Sequence, residues 1–209
     1  NNMTKNIKPN QTTPSLRFPG FFGEWDKSTI SEICDRIGDG IHKTPKYHAS
    51  GEYYFVNGNN LLNGKVVTNL GTKMVNHDEF DKNKRALNKQ TLLLSINGTI
   101  GNVSRYNNEK ILLGKSICYL KLLPHINLDY IFYLLKTQKT QSHFISELTG
   151  STIYNLSLKS IRDTNIFIPD KSEQQKIASF LSTVDSWLDN LRLQKSSLES
   201  YKKSIMQKI

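Results

Sequence analysis

SEQQKIASFLSTVDSWLDNLRLQKSSLESYKKSIMQKI, residues 172–209, decides how this chain is built. Stepping alternately by four and three from Ile177 gives Ile177, Leu181, Val184, Leu188, Leu191, Lys195, Leu198, Lys202, Ile205 and Ile209, apolar except for the two lysines. Such a 4-3 repeat lines one narrow stripe of a helix, as in a two-stranded coiled coil. Phe180, Trp187 and Tyr201 widen the stripe. Pro169 halts the strand-like Ile166-Phe167-Ile168. Ser172 then stands as N-cap with Gln175 three residues on, and Glu173 puts negative charge in the first turn. At about 1.5 Å per residue the helix would run roughly 55–57 Å, more than the width of a small domain. Part of it must therefore project, and its stripe needs either a partner helix or a fold back onto its own domain. The two lysines fit both, because polar breaks in a seam set register and orientation.

A chain of 209 residues leaves room for one proper core beside this helix. The formal net charge is +10, and most of it lies before the helix: residues 1–170 carry a surplus of +7, the remainder +3. That balance points to a polyanion, most simply nucleic acid, and next to an acidic protein or an anionic membrane surface. Cys34 and Cys118 sit in apolar context and read as small buried hydrophobes rather than a disulfide framework. No apolar leader and no run near the roughly 18 residues of a membrane span is visible, so a cytoplasmic location is expected.

Residues 1–14 are polar and read as a disordered leader or a vector-derived remnant. Leu16 to Trp25 is an aromatic segment broken by Pro19, Gly20 and Gly23, suited to clamping onto the domain surface. Ser28 would cap a short helix whose one face carries Ile30, Ile33, Cys34 and Ile37. The Gly38–His48 loop is dense in cationic, hydroxyl, aromatic and imidazole groups, which favours a ligand-contacting loop over an ordinary solvated one. Short strands follow at Tyr53–Val56, Lys65–Thr68 and Lys73–Val75, then a helical piece from His77 to Ala86. Thr91–Ile96 is a buried strand that turns at Asn97-Gly98 and returns through Ile100–Tyr106, and Ser116–Leu122 is another strand. Asn127 caps a helix with Leu128, Ile131, Leu134 and Leu135 on one face, and helical pattern continues loosely through Phe144, Ile145 and Leu148. Gly150-Ser151-Thr152 is a small polar loop, and Ser157 caps a last short helix. Short strands mixed with helices, without regular βαβ alternation, give an α+β domain followed by the long C-terminal coiled-coil helix.

Several chemistries find no support. His42-Lys43-Thr44 lacks the glycine of a phosphate-binding loop, and no G-x-G-x-x-G opens a helix after a strand. The histidines and cysteines have no zinc-ligand spacing, and no Gly-x-Ser-x-Gly elbow exists. Glu173 and Lys176 read as capping and surface charge. These absences leave no metal site and no catalytic residue to nominate. What remains suits nucleic acid: Lys and Arg neutralise phosphates, and Asn, Gln, Ser and Thr pair with base edges. The candidate nucleic-acid-binding residues are His42, Lys43, Thr44, Lys46 and Tyr47 in the first loop, Asn57 and Asn59 after the aromatic strand, and Asn97 and Thr99 at the hairpin tip. Ser151 and Thr152 are weaker candidates.

Four stretches together resemble the DNA specificity subunit of Type I restriction-modification systems. They are Leu16-Arg17-Phe18-Pro19-Gly20 with Gly23-Glu24-Trp25, Asp39 to Tyr47, Asn97 to Gly101, and Ile166 to Pro169 leading into Glu173-Gln174-Gln175-Lys176-Ile177-Ala178. The last is the most specific. The resemblance implies a target recognition domain (15–170) followed by a conserved spacer helix (171–209). It implies a subunit that does no chemistry itself but reads double-stranded DNA and holds two kinds of partner. Modification subunits would methylate adenine with S-adenosylmethionine. Restriction subunits would use ATP and magnesium to translocate and cleave. Family members usually carry two recognition domains and two spacer helices that pair antiparallel, whereas this chain has one of each. It is then either a half-subunit that homodimerises through Ile177, Leu181, Val184, Leu188, Leu191, Leu198, Ile205 and Ile209, or a fragment of a longer chain. The competing readings are a nucleic-acid-modifying enzyme with an unrecognised site and a coiled-coil interaction protein without DNA affinity.

Overall fold

The computed structural model describes residues 14–148 and 155–207. In chain order it forms β1 (Asp26–Thr29), β2 (Cys34–Asp39), β3 (Tyr53–Val56), β4 (Leu61–Leu62), β5 (Lys65–Val66), β6 (Met74–Val75), α1 (His77–Asn83), β7 (Thr91–Ser95), β8 (Val103–Arg105), β9 (Ile111–Leu113) and β10 (Ile117–Leu122). Then follow α2 (Leu128–Leu135), α3 (Gln138–Ser146), α4 (Leu158–Arg162), β11 (Asn165–Ile168) and α5 (Lys171–Met206). The polar stretch 1–13, Ser151, Thr152 and Ile209 lie outside the described residues. No helix among those described is long and apolar enough to cross a membrane.

β7 and β10 are the spine. They pair antiparallel at the centre of a four-stranded sheet of order β2-β10-β7-β8. Successive side chains of a strand point to opposite faces, so a strand covered on both sides is apolar throughout. Leu92, Leu94, Cys118, Leu120 and Leu122 enter a core shared with the helices, while Leu93, Ile117 and Tyr119 enter a second core with Val56, Ile111 and Leu113. A three-stranded sheet, β6-β3-β9, closes over this second core, with β3 and β9 parallel. Burial pushes the thiol of the half-buried Cys34 up to about 12 and raises that of the fully buried Cys118 as well.

The expected helix after Ser28 does not form. Residues 26–29 pair with β11, Asp26 opposite Ile168 and Thr29 opposite Asn165, and residues 34–39 pair with β10. Ile30 and Ile33 are buried in the turn between, so their helix-like spacing comes from two inward residues of one turn. The Ser28 hydroxyl donates to Glu32 Oε2 at 2.8 Å, and the Thr29 amide donates to the same oxygen at 2.8 Å. Local periodicity yields here to pairing with a strand far away in the chain. Strand β9 is not among the strands expected from the sequence. Strands β5 and β6 are shorter than expected there, and β8 occupies only the end of the expected return strand.

Helix α5 is capped by Asp170, not Ser172. The Asp170 carboxylate accepts from the Glu173 amide at 2.9 Å and from the Ser172 hydroxyl, and these bonds hold its pKa below the ordinary value. Glu173 is not surface charge either. It is fully buried, takes Arg17 Nε and Nη2 at 2.6 Å each, and accepts from Trp25 Nε1 at 3.1 Å. Arg17 also donates to the Gly23 and Phe22 carbonyls. The aromatic segment from Leu16 to Trp25 is thereby tied to the first turn of the helix. The neighbouring Gln174 and Gln175 hold Asn127, at 3.0 and 2.7 Å, where α2 begins. The helix then follows α2 as far as a hydrogen bond from the Tyr133 hydroxyl to Asp185, 2.9 Å.

Candidate nucleic-acid interface

Strand direction gathers the candidate loops. β10 starts at Ile117 opposite Ser95, the end of β7, and Cys118 lies opposite Asp39, the end of β2. β3 runs parallel to β9, so Val56 and Leu113 end together. β6 is antiparallel to β3 and begins at that same end. Five connections therefore emerge at one end of the sheets: the first loop after Ile41, the Asn57–Asn60 turn, residues 67–73, the hairpin at 96–102, and Gly114-Lys115-Ser116. Leu123 to Asn127, where α5 is anchored, lies at the opposite end.

The connections are fastened to one another. The Ile41 amide donates to the Leu113 carbonyl at 2.8 Å, and a Cβ on Gly40 would run into the Leu113 and Gly114 carbonyls. Only glycine lets these backbones approach so closely. Arg85 props the base of the first loop, donating from Nε to the Asp39 carbonyl at 2.9 Å and from Nη2 to that of Gly40 at 3.3 Å. Beyond it, His42, Lys43, Thr44 and Lys46 are exposed while Pro45 is buried as the loop's anchor. His42 Nε2 lies 2.7 Å from Asp39 Oδ2, which engages the imidazole within its own loop. Tyr47 packs on Phe55, ring centroids 5.8 Å apart.

Asn57 is engaged within the fold. It is half-buried, its Oδ1 accepts from the Ser116 hydroxyl at 3.0 Å, and the same hydroxyl accepts from the Gly58 amide at 2.8 Å. A Cβ on Gly114 would strike that Asn57 oxygen and the Phe55 ring. Asn57 is therefore a latch between two turns, and its neighbour Asn59 is the exposed one. Asn97 is half-buried and bridged to Asn155, whereas Thr99 is exposed at the hairpin tip. The Leu156 amide donates to the Ile96 carbonyl at 2.9 Å, so the chain resumes beside the hairpin after the undescribed residues that contain Ser151 and Thr152.

Lys115 and Ser116 were missed. They sit in the middle of this face, and the signal for them was the glycine between two apolar runs, Ile111–Leu113 and Ile117–Leu122. Lys43, Lys46 and Lys115 are exposed and make no ion pair among the described residues. Unneutralised lysines on ordered turns, interleaved with amide and hydroxyl groups, can bind phosphate oxygens and reach base edges. Among the described residues no group of three or more His, Cys, Asp or Glu side chains is gathered as a metal site.

The seam residues of α5 divide in two. Ile177, Leu181 and Val184 are half-buried, the first two lining a cleft of about 420 Å³ with Leu16, Phe18, Trp25 and Phe180. Leu188, Leu191, Leu198 and Ile205 are exposed by 42, 60, 68 and 41%. The fold-back expectation thus describes the first turns, and the rest of the stripe stands clear of its own domain.

Comparison with known proteins gives one answer. The specificity subunit of the Type I restriction enzyme MjaIX of Methanocaldococcus jannaschii is 27% identical over 186 residues, covering 84% of this chain and 41% of that protein. The crystal structure of a Type I restriction-modification S subunit from M. genitalium superposes with a TM-score of 0.59 at 27% identity, over 86% of this chain and 44% of that one. The HsdS subunit from Thermoanaerobacter tengcongensis shares the fold at a TM-score of 0.60 and 18% identity, over 86% and 41%. The chain spans less than half the length of each. The profile described as the Type I restriction modification DNA specificity domain matches residues 23–200, and this chain belongs to that family.

Proposed function

We propose that this chain is a sequence-specific DNA recognition module of a Type I restriction-modification complex. Residues 15–170 serve as the target recognition domain and 171–209 as a spacer helix. The observation that carries the reading is the gathering of five connections at one end of the sheets, with Lys43, Lys46 and Lys115 unpaired among the described residues. Phosphates are held by these lysines, and base edges are met by the exposed polar groups between them, Thr44, Asn59 and Thr99. The chain itself contributes no catalytic group. S-adenosylmethionine, ATP and magnesium belong to modification and restriction subunits that it positions on the duplex.

The exposed part of the α5 stripe supports homodimerisation, since an apolar seam in water is stabilised by a partner helix. Two-fold symmetry then requires two identical, inverted half-sites. Selection from a random duplex library at moderate salt, with the protein alone and with a modification subunit, tests both statements. An inverted pair of short motifs at fixed spacing is the expected result, and no enrichment in either condition overturns the reading.

A further inference from the structure

The connection from Val67 to Lys73 is not explained by packing. Leu70, at its tip, is fully exposed, as free of contact as a side chain in an extended peptide. Isolated exposed leucines are common on protein surfaces, but this one is held out on an ordered finger. Thr72 Oγ1 accepts from the Asn69 amide at 2.9 Å, Asn69 Oδ1 accepts from the Gly71 amide at 2.9 Å, and the Thr72 amide closes the turn on the Asn69 carbonyl at 2.9 Å. The base is clamped on both sides by parts of the candidate interface. Val67 exchanges two bonds with Asn60, amide to carbonyl at 2.8 Å and Asn60 Nδ2 to the Val67 carbonyl at 2.9 Å. The Lys73 carbonyl accepts from Phe55, the residue on which Tyr47 packs, at 2.7 Å. The finger thus leaves the same end of the sheets as the unpaired lysines, between the first loop and the Asn57–Asn60 turn.

Rigidity matters here because a tip that is ordered beforehand gives up little conformational entropy on binding. Charge decides the kind of surface it meets. The lysines around it direct this end of the molecule to a polyanion. The apolar surface of a duplex that carries sequence lies at its bases: the thymine methyl in the major groove, or a base-pair face laid open where a step unstacks.

We propose that Leu70 is a base-contacting residue that reads the target through apolar contact, supplying affinity independent of phosphate charge. This rests on the DNA-recognition reading above. The test uses a duplex enriched by the full chain, with affinities followed by fluorescence anisotropy over a range of salt. Because Leu70 touches nothing, Leu70→Ala should melt like the unaltered protein. It should bind the enriched duplex roughly ten- to a hundredfold more weakly, from the loss of one buried leucine side chain. Its salt slope and its binding to unrelated duplex should stay unchanged, and selection with it should lose preference at one position. Uracil in place of thymine at that position should weaken the unaltered protein alone if the methyl is the contact. A 2-aminopurine there should brighten with the unaltered protein alone if the step is opened. Equal affinity and equal selectivity of the two proteins overturns the proposal, as does a loss that comes with a shallower salt slope. Failure of the unaltered protein to enrich any duplex defeats the DNA reading itself, and the finger with it.

Discussion

Glu173 shows what one side chain can decide. A carboxylate without solvent access is tolerated only with its acceptor sites filled, and Arg17 and Trp25 fill them from the other end of the domain. Removing Arg17 leaves a buried charge unpaired, whereas removing both partners exchanges the pair for a cavity. Arg17→Ala and Glu173→Ala should therefore each lower the melting temperature. The double variant should melt well above the value that adding the two losses would give, and strict additivity in thermal melts would show that the groups are uncoupled. This pairing was illegible in the sequence, since Glu173 in the first turn already has a sufficient local reason and nothing nearby marks its partner. The bond of Asn57 was illegible for a related cause: a polar residue after a strand looks the same whether it faces solvent or, as here, holds Ser116.

Among the elements, those with strong local signals formed where the sequence placed them. Asn127 and Ser157 cap their helices through side-chain bonds to Tyr130 and Ser160, at 2.9 Å each, and the apolar run at β7 is buried on both faces. Elements set by distant pairing did not: β1 and β9 are short, and their partners lie across the fold. Helix α5 combines both cases. Its 4-3 repeat was plain, but which turns pack on α2 depends on tertiary structure. The exposed turns carry their own expectation. Leu188→Asp with Leu191→Asp places like charge in the proposed seam and should give monomers by analytical ultracentrifugation with the domain still folded. Dimers that persist at micromolar concentration would place the contact elsewhere.

For the molecule as a whole, the proposed interface and the anchor of the helix occupy opposite ends of one sheet, so charge removed at one end should leave assembly at the other untouched. Lys43→Ala with Lys46→Ala should weaken DNA binding at every sequence and lower the slope of log affinity against log salt by about two, with sedimentation unchanged. An unchanged slope would place the phosphate contacts on another face. Net charge and loop composition made this end legible as a basic surface. Its assembly from five connections was not, because it follows from strand directions that include the unseen β9. The Arg17–Glu173 pair and the β1–β11 ladder also bear on how the chain comes into being. They join residues 156 apart in the case of the pair, and β1 meets its strand partner β11 near the close of the domain. Contacts of such separation form slowly. On the ribosome, β1 must wait as an open strand edge until β11 and the first turn of α5 have emerged. Until then the growing chain exposes an edge to mispairing, and the direction of the helix is undefined.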